Sequence, residues 1–403
     1  MNSGDTAFML IATAMVMLMT PGLALFYGGM VRSKNVLSTL LQSFICLAVV
    51  TIIWVLYGYS LAFGTDVGGL IGGLDFLLLR GVGGETMEGG TIPHLVFCAF
   101  QLMFAVITPA LITGAFAERI KFSAFLLFTI LWTTLVYLPV CHWVWGNGWI
   151  SSHGGLDFAG GTVIHINSGA AALVAALLVG KRKGWGKESL HPHNLPMTLL
   201  GAGILWFGWF GFNAGSALAA DGIAATAFMT TQVAAGCGAL AWLMAEWLYQ
   251  GRPTILGAAS GAIAGLVAIT PAAGYVSPTS AILIGLAGGM LCYIAVLAKN
   301  RLGYDDALDV VGIHGVGGLW GALATGLFAS LAVNPGGANG LFFGNARLLL
   351  VQAVDAGATI VYSLIMSFII LKGIDLLIGL RVESEDEIQG LDLSQHSEIG
   401  YTL

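Results

Sequence analysis

The length of the apolar runs constrains this chain more than any other feature. Stretches such as Ala124 to Pro139 and Ala346 to Leu371 extend well beyond a buried strand or an ordinary core helix. A bilayer's hydrocarbon core is about 30 Å thick, so a spanning helix needs roughly 20 mostly apolar residues. Inside lipid the backbone must satisfy its own hydrogen bonds, which leaves helices or a closed barrel. Barrel strands alternate apolar and polar residues, and these runs do not. Hydrophobic residues make up 57% of the 403 positions and charged residues 9%, against about 25% charged in soluble domains. So few charges cannot cover a soluble particle of this size, and the formal net charge of -6 disfavours a nucleic-acid partner. Soluble enzymes, nucleic-acid binders and disordered chains are thereby set aside. The chain reads as an all-α polytopic membrane protein.

The runs predict eleven transmembrane helices, near 6–30, 38–63, 92–116, 122–142, 158–180, 195–217, 223–249, 255–272, 278–298, 306–332 and 346–377. The 58 glycines suit such a bundle, because small residues let helix backbones approach closely in lipid. Basic residues collect on the cytoplasmic side of a membrane. Arg32 and Lys34 follow span 1, and Arg119 and Lys121 follow span 3. Lys181, Arg182, Lys183 and Lys187 follow span 5, Arg252 span 7, and Lys299 and Arg301 span 9; Lys372 and Arg381 close span 11. Only Arg80 and Arg347 fall on the other face, so thirteen of fifteen basic residues share one side. The N-terminus is predicted outside and the C-terminus inside. Met1 to Leu10 carry no basic n-region, so no cleavable signal peptide is expected. The five cysteines show no metal-ligand spacing and are expected to pack inertly.

Short motifs recur in order. Span 3 carries Val106-Ile107-Thr108-Pro109-Ala110 and span 8 Ala268-Ile269-Thr270-Pro271-Ala272. Span 1 ends in Phe26-Tyr27-Gly28-Gly29 and span 6 in Phe212-Asn213-Ala214-Gly215; span 5 has Val163-Ile164-His165 and span 10 Gly312-Ile313-His314. These pair spans 1, 3 and 5 with 6, 8 and 10. Five is odd, so the second half must cross the membrane upside down, the inverted 5+5 repeat of many transport proteins. Span 11 is peripheral, and the chain divides into a transmembrane domain over 1–377 and a cytoplasmic tail over 378–403.

Ionisable groups inside a membrane are expensive and mark functional paths. Of eight histidines, His165 and His314 lie well within apolar spans, each on a stripe of small residues at three-to-four spacing. Both imidazoles should face the interior, at matching depths about the midplane, where an adjacent pair can form. The alternatives are isolated interhelix hydrogen bonds, or bis-histidine haem or metal ligation. The outer mouth is aromatic: Phe100 and Phe104 from span 3, Trp143, Trp145 and Trp149 from the loop after span 4, and Trp206, Trp209, Phe210 and Phe212 from span 6, with Ser216 at its end. Aromatic faces attract a desolvated cation by about 0.5–2 kcal/mol, although an interfacial aromatic belt accounts best for Trp149. Asp157 opens span 5, as an N-cap and as a carboxylate able to favour a cation.

The segment Asp157-Phe158-Ala159-Gly160-Gly161-Thr162-Val163-Ile164-His165-Ile166-Asn167 resembles the signature of the ammonium transporter (Amt/Mep/Rh) family. So do Trp209-Phe210-Gly211-Phe212-Asn213-Ala214-Gly215-Ser216, Phe26-Tyr27-Gly28-Gly29 and the tail Gly390-Leu391-Asp392-Leu393-Ser394-Gln395-His396. The likeness covers essentially the whole chain and favours the prokaryotic Amt branch. It implies a homotrimer in a prokaryotic plasma membrane, with one pore per subunit, no enzymatic activity and no cofactor. It further implies that Trp145, Ser216 and Phe104 recruit ammonium, or its analogue methylammonium. Phe104 and Phe212 would then form a gate, His165 and His314 line the pore, and Asp157 support recruitment and deprotonation. Phe100 and Trp209 are expected in the outer vestibule. The acidic tail is expected either to be disordered, by composition, or, by resemblance, to pack on the cytoplasmic face, regulate transport and meet a PII-class signalling protein. Lys181 to Lys187 would then supply complementary charge. One departure is Asn147, where glycine is expected; its side chain bears on the loop that presents Trp145. A passive ammonia channel and an ammonium sensor with little flux are the rival readings.

Overall fold

The computed structural model of the chain describes residues 1–402. Each predicted span coincides with a helix: α1 (Ser3–Met30), α2 (Ser33–Phe63), α3 (His94–Phe116), α4 (Phe122–Ser152), α5 (Gly161–Val179), α6 (Leu195–Gly215), α7 (Gly222–Gln250), α8 (Ile255–Ile269), α9 (Pro278–Leu302), α10 (Val311–Phe328) and α11 (Ala346–Ile378). Ten of these are long and apolar enough to cross a membrane; α8 is the shorter one. Its 15 residues span about 22 Å at 1.5 Å per residue. The helix stops where Thr270-Pro271 follow, since a proline lacks the N–H and its ring crowds the preceding turn. The matching Thr108-Pro109 in α3 is passed through, and that helix continues to Phe116.

Several helices start on a side-chain cap, as polar residues ahead of an apolar run predict. Asn2 accepts from the N–H of Gly4 and Asp5, Asp221 from Ile223 and Ala224, and Ser277 from Ser280. Glycines set the closest crossings: Gly201 of α6 meets the backbone of Phe26 on α1, and Gly238 of α7 meets Gly261 and Gly265 of α8. Such contacts hold helices by van der Waals packing where lipid removes the hydrophobic drive between them. A small hairpin, β1 (Asp66–Val67) and β2 (Ile71–Gly72), sits in the loop after α2. The buried His142 of α4 ties it down, with Nδ1 on the Ala62 carbonyl and Nε2 on the Asp66 carboxylate, both at 2.9 Å.

At the opposite end the tail is folded. It forms two short helices, α12 (Ser384–Gln389) and α13 (Leu391–His396). Asp392 accepts the N–H groups of Leu37 and Ser38 at the start of α2, at 3.0 and 2.8 Å. Leu391 donates to Asn35 Oδ1, and the Val382 N–H to the Arg119 carbonyl. The expected lysine complement takes a different form: Glu387 pairs with Arg381 at 2.7 Å and accepts the main-chain N–H of Lys183. Beneath the tail, Glu118 pairs with Arg32 at 2.8 Å, and Arg182 grips Asp305 through Nη2 and Nε at 2.8 and 2.9 Å. Burial works against charge at Glu118 and Asp305, but the guanidinium contacts outweigh it and hold both carboxyls below their ordinary range.

Candidate functional site

Both α5 and α10 open in a π-helical turn, Gly161–Ile166 and Val311–Val316, and each turn carries one histidine. π-turns are rare and concentrate at functional sites. Here they bring His165 and His314 together, Nδ1 to Nδ1 at 3.1 Å, with ring centroids 5.2 Å apart and planes 20° from parallel. At that distance one Nδ1 donates and the other accepts, so the two rings share one proton between them. Direct contact leaves no place for a haem iron between the rings. Both residues are buried, at 2% and 4% exposure. The helices cross on glycine beside them, Gly169 against Gly315, and Gly318 packs on His165. A narrow cavity adjoins the pair, with Leu23, Ile107, Leu111 and Ile263 among its apolar walls.

Aromatic rings continue the line. Phe212 lies 6.2 Å from His165, Phe104 stacks on Phe212 at 4.3 Å and 27°, and Trp145 stands edge-on to Phe104 at 5.8 Å and 89°. Five helices therefore present Trp145, Phe104, Phe212, His165 and His314 as one row. Phe100 supports Phe104 from 4.8 Å. The Ser216 hydroxyl donates to the Phe212 carbonyl at 2.8 Å and so joins the row through α6. Trp209 departs from its expected vestibule position. It stacks on His165 at 5.5 Å, lines the inner cavity, and donates Nε1–H to Thr270 Oγ1 at 2.9 Å. It precedes Phe212 by three residues on α6, nearly one turn, and that turn carries it past the phenylalanine pair.

Asp157 is buried at the head of α5, where its carboxylate accepts four backbone N–H groups, from Gly160, Gly161, Thr162 and Val163, at 2.7 to 3.1 Å. This satisfies the orphan donors of the helix start and faces its dipole. The chain can turn back this tightly because Gly160 has φ of 112°, a conformation that side chains avoid. The Asp157 carbonyl accepts Trp145 Nε1–H at 2.9 Å. Asn147 has φ of 64°, which explains why glycine suits this position and why asparagine, the side chain most tolerant of left-handed backbone, also serves. The sequence reading missed Asp306, which stands eight residues before His314 as Asp157 stands eight before His165. Asp306 accepts the Val311 N–H at 2.7 Å, and burial pushes its carboxyl up to about 6. The shared Asp-to-His spacing was the available signal.

Long apolar helices wrapped around a buried row of aromatic rings and imidazoles define a multi-pass membrane protein of the transport class. The chain belongs to the Ammonium Transporter Family, whose model matches residues 7–401. It is 55% identical to the ammonium transporter of Bacillus subtilis, covering all of this chain and 99% of that one. It is 48% identical to the ammonium transporter Amt1 of Archaeoglobus fulgidus, covering both completely. Among solved structures it resembles Mep2 of Saccharomyces cerevisiae, with a TM-score of 0.90 and 37% identity over 96% of this chain and 88% of that one. It also resembles a sensor Amt protein, with a TM-score of 0.89 and 30% identity over 98% of each.

Proposed function

We propose that the chain carries ammonium nitrogen across a prokaryotic plasma membrane by stripping the ion of its proton at the aromatic row. The observation that carries this reading is the order of the row: an indole, two stacked phenyl rings, then a hydrogen-bonded imidazole pair beside an apolar cavity. Ammonium is close to potassium in size, so a cation hole alone would confuse them. Moving a bare ion into low dielectric costs on the order of 20 kcal/mol by the idealised Born figure. Ammonia escapes that cost, and potassium has no neutral form. Trp145, Phe104 and Ser216 recruit the cation by quadrupole and hydroxyl contact. Phe104 and Phe212 close the way to hydrated ions. Asp157 supports the site and its deprotonation, and ammonia then passes along His165 and His314. The proton crosses separately, relayed by the shared histidine hydrogen bond, so transport moves net charge. The N-terminus lies outside, three subunits associate, and the folded tail meets a PII-class protein in the cytoplasm.

Two measurements test the reading. Uptake in an ammonium-transport-deficient strain is expected with the intact chain and lost with His165→Ala and His314→Ala. Ammonium pulses on a solid-supported membrane should draw current; uptake without current would leave a passive ammonia channel. The likeness to a sensor Amt protein keeps one rival: ammonium binding with no flux would favour it.

A further inference from the structure

Helix α11 stands outside the two repeated halves, yet one of its side chains reaches the support of the row. Gln352 is buried on α11, and its amide closes on a single residue of the loop before α5. Oε1 accepts the Leu156 N–H at 2.8 Å, and Nε2 donates to the Leu156 carbonyl at 2.8 Å. The second Nε2 hydrogen goes to the Ala322 carbonyl on α10 at 3.1 Å. Both amide hydrogens and the oxygen are thereby used, and turning the amide over would set donor against donor. One turn further along α11, the Asp355 carboxylate lies against Gly155, leaving no room for a Cβ there. The loop is therefore laid directly on α11, with Gln352 acting on it as a paired strand would.

The residue after Leu156 is Asp157, whose carboxylate caps α5 and whose carbonyl holds the Trp145 indole. Any movement of Leu156 reaches both within one peptide unit. Ala322 lies two turns beyond His314 on α10, so one amide joins the loop of the first half to a helix of the second. We infer that Gln352 is a positioning residue that fixes Trp145 over Phe104 and so sets the affinity of the outer site for ammonium and methylammonium, without touching either. This rests on the reading of Trp145 as a recruiting residue. Without the amide, Leu156 has two partly buried backbone groups to satisfy, and the loop gains by moving towards water. A misplacement of about 1 Å is enough to weaken a positioned site by an order of magnitude or more.

The test uses the full chain in liposomes, reading initial methylammonium uptake against concentration. Gln352→Leu removes every hydrogen bond at similar size, and Gln352→Glu keeps an acceptor for the Leu156 N–H while losing the donors. The expected result is a half-saturating concentration raised about tenfold in Gln352→Leu and less in Gln352→Glu, with the maximal rate held within about twofold. Trp145 fluorescence, taken against a Trp145→Phe background, should shift its methylammonium titration by the same factor. An unchanged half-saturating concentration in the folded leucine variant, or a fall in maximal rate alone, overturns the inference. If Gln352→Leu does not fold, Gln352→Glu decides alone: a shift of twofold or more supports the role and no shift overturns it. A parent protein that takes up no methylammonium refutes the transport reading instead, and the Trp145 titration still decides the positioning role.

Discussion

His165 and His314 lie 149 residues apart in the chain, and their Nδ1 atoms meet at 3.1 Å with the rings nearly parallel. Each imidazole is the other's Nδ1 partner, and the contact holds a single proton. Replacing either with alanine leaves the other Nδ1 buried without a partner, at a cost of about 1–3 kcal/mol. The folded His165→Ala and His314→Ala proteins are expected to lose at least about tenfold in ammonium-driven current, one factor of ten for each 1.36 kcal/mol added to the barrier. Undiminished current in both variants would remove the histidines from the path.

Phe212 stacks on Phe104 and lies over His165. Phe212→Ala opens that stack and is expected to destabilise the protein by about 3–5 kcal/mol. In proteoliposomes the variant should admit potassium, and the parent protein is expected to exclude it. Continued exclusion would mean that the phenyl pair is not the barrier to ions.

Asp157 satisfies four helix-start donors at once. Asp157→Ala leaves all four unanswered and is expected to cost about 3 kcal/mol or more, beyond an ordinary cap. Asp157→Asn keeps one acceptor oxygen and should melt between the two. Thermal unfolding in detergent orders the three proteins, and equal melting temperatures would mean that the cap is not structural.

Asn147 holds left-handed backbone at φ 64°. Asn147→Gly is expected to change stability by less than about 1 kcal/mol and to leave uptake intact. Asn147→Val should destabilise by about 1–2 kcal/mol, because a branched Cβ resists that conformation. Comparison of the two melting temperatures checks the sign.

Glu118 and Asp305 have folded-state pKa values below their ordinary 4.5 and 3.8, held there against burial by Arg32 and Arg182. A depressed carboxyl contributes stability above its unfolded value and loses it as pH falls through the folded one. The unfolding midpoint is therefore expected to hold above about pH 4.5 and fall below it. Glu118→Gln should be less stable near neutrality, by about 3–5 kcal/mol for a broken buried pair, and flatter in acid. A parallel pH profile for the variant would rule out this pair as the source.

Much of the site was legible because its residue types are costly in a membrane. His165 and His314 stood out as imidazoles in apolar spans, and Asp157 as an acid heading a helix; both features follow from local sequence. Trp209 was misplaced because its spacing from Phe212 gives its height on α6 only approximately, and its Nε1 bond to Thr270 depends on where α8 ends. The ending of α8 itself was invisible, since the same Thr-Pro pair interrupts one helix and is tolerated in α3. Composition pointed to a disordered acidic tail, and only the family resemblance pointed to a packed one. It is the Asp392 cap on α2 and the Arg381–Glu387 pair that fold it onto the bundle.

Hydropathy and the scarcity of charge determined the membrane class and the helix positions, because lipid punishes any other distribution of polar groups. The meeting of the histidines, the phenyl stack and the Gln352 clamp was decided by tertiary structure alone. Those contacts depend on how glycine-lined helices cross and on π-turns that rotate side chains by a fraction of a turn. No periodicity in the chain encodes a rotation that small.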